Sequence, residues 1–249
     1  MEINSLEPGE TIVVVGASFS GIEIATELRS RVGKDKRIIL LEQGKVAGAA
    51  LGDNLSPFIQ DALAQANIEV TTGKTIQSFS GRHILLDDGE EIVSSTIVLA
   101  TGLQASSLTK CLAGGKDAVD GRVSLDPVLR VKGYKKVFGA GDVGRAMASP
   151  EHATLMSCQH AMPMGQVAGR NAVLDSLGQE LIPYSQEFYA TCLDLGSWGA
   201  AFTTGWDRQI AKIGQEGKKM KMEINQQWIY PPDPANGRDA IFKAVRDAN

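Results

Sequence analysis

The sequence predicts an α/β fold: a Rossmann-like, doubly wound nucleotide-binding domain carrying a β-meander, then a second partial binding region and a small α+β C-terminal segment. Three observations predict it. An apolar strand runs straight into a glycine turn and a helix, a second strand ends on an acid, and short strand-like segments separated by turn residues follow.

The first element is Thr11 to Glu42, TIVVVGASFSGIEIATELRSRVGKDKRIILLE. The strand Ile12 to Val15 leads into GASFSG, where Gly16 allows the tight turn and Gly21 lets the helix lie close to the sheet. A helix N-terminus offers unpaired N–H groups and partial positive charge, which suit a pyrophosphate. The middle position, usually glycine, is Ser18, whose Cβ narrows the approach but whose hydroxyl can bond a phosphate. Glu42, 21 residues past Gly21, can accept hydrogen bonds from an adenine ribose. The alternative is a doubly wound domain that binds no nucleotide.

After GKVAGAALGD, residues 54–67 (NLSPFIQDALAQAN) have helical spacing, with Ile59, Leu63 and Ala66 on one side. Asn54 or Ser56 can cap this helix, Pro57 fits its first turn and Asn67 closes it. A strand begins at residues 68–70. Segments 74–79, 83–86 and 91–93, split by Ser80-Gly81 and Asp87-Asp88-Gly89, read as an antiparallel meander. Residues 96–100 (TIVLA) form a buried strand ending in Thr101-Gly102.

Residues 104–150 are small and turn-rich, with strand candidates at 122–125 and 136–138. Their final GAGDVG, residues 139–144, also satisfies G-x-G-x-x-G but opens no clean helix, so it fails as a second fingerprint of the same kind. Residues 151–177 form a helix candidate with a kink or interruption expected at Pro163. Beyond Pro183, WGAAF, QIAKIG and KKMKMEI have β-like character, with KKMKM read as an exposed strand face. A turn at YPPDP and a helix over 239–247 close the chain.

Composition excludes several classes. The net charge of −4 and the lack of a basic face argue against nucleic acid as a partner. The polar, acidic start lacks the features of a secretory signal, and no apolar run approaches membrane-spanning length. Three separated cysteines form neither a disulfide framework, a metal site nor a C-x-x-C pair, which fits a reduced cytoplasmic setting.

VVVGASFSGIEIATEL, with Glu23 two residues after Gly21, resembles the NADH-binding domain of two-dinucleotide flavoproteins, the pyridine nucleotide–disulfide oxidoreductase superfamily. VFGAGDVG is similar to that family's late flavin motif, and ASPEHATLMSCQHAMPMGQVAGRNA to the helix approaching the flavin. The missing cysteine pair places the resemblance nearer its NADH dehydrogenase-like or ferredoxin-reductase-like members. It implies three parts: an NAD(H) domain over 11–103, the C-terminal part of an FAD domain over 104–180 and an α+β interface domain over 181–249.

The resemblance further implies that Gly16, Ser18, Gly21, Glu42 and Gly102 hold NADH, and that Gly141 and Asp142 hold FAD. Glu23 would sit near the nicotinamide and assist hydride transfer, the alternative being a favourable acid in the first helical turn. No metal is expected. With Glu42 and no following arginine, NADH is favoured over NADPH. Electrons would pass on to a quinone or a redox protein. The family's own N-terminal flavin unit has no counterpart here, so a truncated product is expected, or a second polypeptide that supplies the rest. A homodimer and peripheral membrane attachment are further expectations. The rival readings are a non-enzymatic NAD(H)-binding module and, last, a flavin-free dehydrogenase. His152, His160 and Cys158 flank the expected flavin helix, where structural roles compete with proton or redox ones.

Overall fold

The computed structural model describes residues 7, 9–112, 120–230 and 233–247. Most of the polar N-terminal stretch, and Pro231-Pro232 of the expected turn, lie outside them.

The first unit is built as β1 (Thr11–Val15), α1 (Phe19–Val32), β2 (Arg37–Glu42), α2 (Ser56–Gln65) and β3 (Glu69–Thr72), then β4 (Ile76–Ser80), β5 (His83–Leu86), β6 (Glu91–Val93) and β7 (Thr96–Leu99). Four strands form a parallel sheet in the order β3-β2-β1-β7. β1 and β2 read as continuous apolar runs because both of their faces are covered. On one face Ile12, Val14, Ile38 and Leu40 pack against Ile22, Ala25 and Leu28 of α1 and Ile59 and Leu63 of α2. On the other, Val13, Ile39 and Leu41 pack against Ile84, Leu86 and Ile92. The antiparallel β4-β5-β6 meander thus covers the second face of the sheet.

Local details differ from expectation in two places. α2 has no side-chain cap because its N-cap position is Leu55, which has no polar group, and Asn54 instead donates its side-chain amide to the Asp207 carbonyl at 2.9 Å. Asn67 does close the helix, at φ 49°. β7 lies at the sheet edge and is half-buried, with Leu99 61% exposed, since a strand with one neighbour lacks cover on its open side. Arg29, buried on α1, donates to the carbonyls of Gly33, Lys36, Ala66 and Asn67 and so ties the ends of both helices together.

The middle of the chain holds β8 (Val123–Ser124) paired with β9 (Gly144–Arg145), and the long helix α3 (Cys158–Ser176). α3 starts later than expected because residues 148–152 form a turn: His152 and Ala148 bond through the backbone, and the Ser149 hydroxyl accepts the His152 N–H. The helix runs through Pro163 without a break. Proline removes the N–H that would bond the Gln159 carbonyl, and the Gln186 side-chain amide donates to that carbonyl instead, at 3.1 Å.

The last unit comprises β10 (Ala190–Asp194), β11 (Ala200–Thr204) and β12 (Gln209–Lys212) in one antiparallel sheet, then α4 (Gly214–Glu223) and α5 (Arg238–Asp247). Its Leu193, Leu195 and Ala201 enter the same apolar cluster as α1 and α2. KKMKM lies on α4 and not on a strand. Gly217 permits this, since a Cβ there would strike the Ala200 carbonyl, so the helix packs directly on β11. Trp198 and Trp206 are packed, whereas Trp228 is 55% exposed and belongs to no core.

Candidate functional site

The C-terminal ends of β1 and β2 open onto a cleft of about 650 Å³. Gly16, at φ 97°, turns the chain sharply, and a Cβ there would collide with the Ala100 carbonyl. A Cβ on Gly21 would collide with the carbonyl oxygen of Gly16. Both glycines are therefore required by backbone contact, and together they aim the start of α1 into the cleft. The Ser18 residue is the N-cap, in extended conformation, and its exposed hydroxyl makes no capping bond. The first turn's N–H groups have no partner within the helix, so an anion placed there meets donors and a favourable dipole.

Glu42 closes the cleft from the β2 side. Its Oε2 accepts the Ala17 N–H at 2.8 Å and its Oε1 the Gly44 N–H at 2.7 Å. The carboxylate thus braces both loops at the cleft's rim, and each oxygen keeps lone-pair capacity for a further donor such as a sugar hydroxyl. Gly102, at φ 105°, lines the opposite wall beside Thr101. The structure brings Gly16, Ser18, Glu42 and Gly102 together around one cleft, with Gly21 buried just behind them.

Glu23 stands apart. It lies past the first turn of α1, so the reading as a first-turn acid is corrected. Its Oε1 accepts the Asp194 N–H at 2.9 Å and the Lys221 ammonium at 2.7 Å, and it lines a second, more open cleft of about 520 Å³ with Asp194 and Lys221. Neither Asp194 nor Lys221 was singled out by sequence reasoning. Their one signal is the spacing of Lys218 and Lys221, which puts both on the same face of a helix. Lys218 binds both carboxylate oxygens of Asp194, at 2.6 and 2.8 Å. Burial pushes the nearby Cys192 thiol up to about 11, so it stays protonated at neutral pH.

Gly141 and Asp142 lie in a single 3₁₀ turn that packs on α3, where the Gly141 Cβ position is 3.5 Å from the Ala161 methyl. The Asp142 carboxylate is exposed and makes no hydrogen bond or ion pair among the described residues. At the N-terminus of α3, Ser157 Oγ, both His160 ring nitrogens, Trp206 Nε1 and Arg208 Nε are buried without a hydrogen-bond partner among the described residues. His160 is fully buried and stacks on Tyr189 and Trp206 at 5.8 and 5.7 Å, and Trp206 stacks on His152 at 4.3 Å. Burial, reinforced by Arg122 and opposed by Gln186, lowers the His160 pKa, which leaves the ring neutral at pH 7. Buried polar atoms without partners are uncommon in a finished site. Such a group at a long helix's N-terminus, beside a free aspartate, fits a polar ring system with a ribityl chain. FAD is compatible with the polar groups exposed here, the Asp142 carboxylate beside Gly141 and the unpaired N–H groups at the start of α3, above the buried Ser157 and His160.

The family model for pyridine nucleotide-disulphide oxidoreductases matches residues 2–165. The chain belongs to that family. An NADH dehydrogenase-like protein of Mycobacterium tuberculosis is 39% identical over 243 residues, covering 94% of this chain and 60% of the relative. Another, from Bacillus subtilis, is 27% identical over 237 residues, covering 92% of this chain and 61% of the relative. The chain thus spans about three-fifths of these relatives. A demethylphylloquinone reductase of Synechocystis is 25% identical, with coverage of 81% and 52%. The solved NAD-dependent persulfide reductase from A. fulgidus superposes with a TM-score of 0.63 at 18% identity, covering 79% of this chain and 36% of that one, which establishes a shared fold. The family and its NADH dehydrogenase-like members use FAD and NADH. No described helix is long and apolar enough to cross a membrane, and no group of three or more metal-ligating side chains occurs among the described residues.

Proposed function

We propose that this chain is the NADH-binding and flavin-contacting part of an NADH dehydrogenase-like oxidoreductase, passing hydride from NADH to FAD and electrons onward to an acceptor such as a quinone. The observation that carries the reading is the cleft at the start of α1, where Gly16 and Gly21 fix the turn and Glu42 holds both flanking loops. The pyrophosphate would take the N–H groups and Ser18 hydroxyl at the helix start, and the ribose would take Glu42 and the wall at Gly102. Glu42 favours NADH, because a 2′-phosphate would meet its negative charge.

FAD, when bound, supplies the two-electron to one-electron conversion that such a reaction needs. The residues here would hold it: Asp142 beside Gly141 for the ribityl hydroxyls, with Ser157 and the α3 N-terminus toward the ring. His160, neutral and stacked, would fix the aromatic floor beneath them. Glu23, held by the Lys221 ammonium and the Asp194 N–H outside this cleft, would set the position of α1 against the last unit and not touch the nicotinamide. The division into an NAD(H) part (11–103), a flavin part (104–180) and an interface part (181–249) belongs to this reading. So does a second polypeptide, or further chain, that completes the flavin site.

A second reading is a binding module for NAD(H) without flavin. It rests on the cleft at the start of α1 alone, whose Gly16, Ser18, Glu42 and Gly102 are all supplied by this chain. One experiment separates the two: the visible spectrum of the purified chain with added FAD, before and after anaerobic NADH. Flavin absorbance retained through gel filtration and bleached by NADH supports the oxidoreductase. A colourless chain that still binds NADH supports the module.

A further inference from the structure

Lys74 is the one basic residue among those lining the cleft with Ser18 and Glu42. It follows β3 in a loop stitched to the Glu42 loop, since the Gly73 N–H donates to the Gly44 carbonyl at 2.8 Å and the Lys74 N–H to the Glu42 carbonyl at 3.4 Å. Its ammonium is not free to face the cleft. It pairs with Asp88 and lies 3.8 Å from Glu90, both in the turn between β5 and β6. That acidic turn is fastened in place, because the Thr75 hydroxyl donates to Asp87 at 2.5 Å and the Asp87 N–H to the Thr75 carbonyl at 2.9 Å.

NADH and NADPH differ by one 2′-phosphate, a group of charge about −1.5 to −2 at neutral pH. Near Glu42 such a group is repelled unless a cation answers it, and Lys74 is the cation in the cleft's lining, its N–H bonded to the Glu42 carbonyl; Lys45, three residues past Glu42, is exposed outside that lining. We propose that Asp88 and Glu90 set the dinucleotide selectivity of the cleft by sequestering Lys74, which would otherwise receive a 2′-phosphate. The meander turn is thus a selectivity element for the cleft although neither acid lines it. This rests on reading the cleft as the NADH site.

The test is equilibrium binding of NADH and of NADPH to the full chain, followed by nicotinamide fluorescence, in four forms: wild type, Asp88→Asn/Glu90→Gln, Lys74→Met, and all three changes together. A charge-assisted bond to phosphate predicts that the double variant gains about tenfold in NADPH affinity relative to NADH. Lys74→Met alone leaves the ratio near wild type, and the triple variant loses the gain. An unchanged ratio in the double variant, or a gain that survives Lys74→Met, overturns the proposal while leaving the site reading intact. A wild type that binds neither nucleotide overturns both.

Discussion

Glu23 on α1 and Lys221 on α4 meet at 2.7 Å across 198 positions of sequence. The same Glu23 oxygen takes the Asp194 N–H, so one carboxylate joins the first α/β unit to both a strand and a helix of the last unit. The pair is mostly covered, with side-chain exposures of 29% and 18%, and Lys221 also donates to the Cys192 carbonyl at 3.0 Å. Breaking one partner leaves the other's charge poorly solvated, which costs more than a surface pair would.

Lys221→Met should therefore destabilise the chain by about 1–3 kcal/mol. Glu23→Gln should cost less, because the amide oxygen can still accept the Asp194 N–H. Urea unfolding of both single variants and the double variant measures the coupling. Additive losses would show that the pair contributes nothing.

Glu42→Ala removes the acceptors of the Ala17 and Gly44 N–H groups. The expected outcome is a loss of roughly 1–3 kcal/mol in stability, with NADH affinity reduced at least about tenfold by the lost ribose acceptor. Glu42→Gln, which keeps one acceptor, should lie between. Chemical denaturation and NADH titration read the two effects separately.

His160 gives the fold a pH dependence of known sign. Its folded pKa lies below the ordinary 6.5, so below that pH the unfolded chain binds more protons than the folded one. Stability should therefore be full above 6.5 and decline as the pH falls below it. His160→Phe, which keeps a ring in the stack but cannot titrate, should flatten that part of the melting-temperature profile. An unaltered slope in the variant would contradict this.

The cysteines should divide by reactivity. Cys111 and Cys158 are exposed, whereas burial raises the Cys192 thiol to about 11. A thiol reagent near neutral pH should label the first two quickly in the native chain and Cys192 only on unfolding, as counted by mass spectrometry.

The β1-turn-α1-β2 run and the meander were legible because their signals are local: glycine turns, short apolar strand runs and turn residues sit within a few positions of what they specify. α4 was not. The alternation of Lys and Met in KKMKM has a strand's period, and helix won through distant contacts: Gly217 against Ala200, Lys218 on Asp194 and Lys221 on Glu23. The same limit applies to Pro163. Its interruption was offset by Gln186, which sequence order does not place beside Gln159. At the cleft, the glycines and Glu42 were legible from spacing. The second task of Glu42, bracing Ala17 and Gly44, depends on how the loops close.

The most direct test is a ¹⁵N–¹H spectrum of the full chain titrated with NADH. The account predicts saturable shifts concentrated at Gly16, Ser18, Gly21, Glu42, Gly44 and Gly102. No shifts, or saturable shifts centred on the second cleft at Glu23, Asp194 and Lys221 instead, would contradict it.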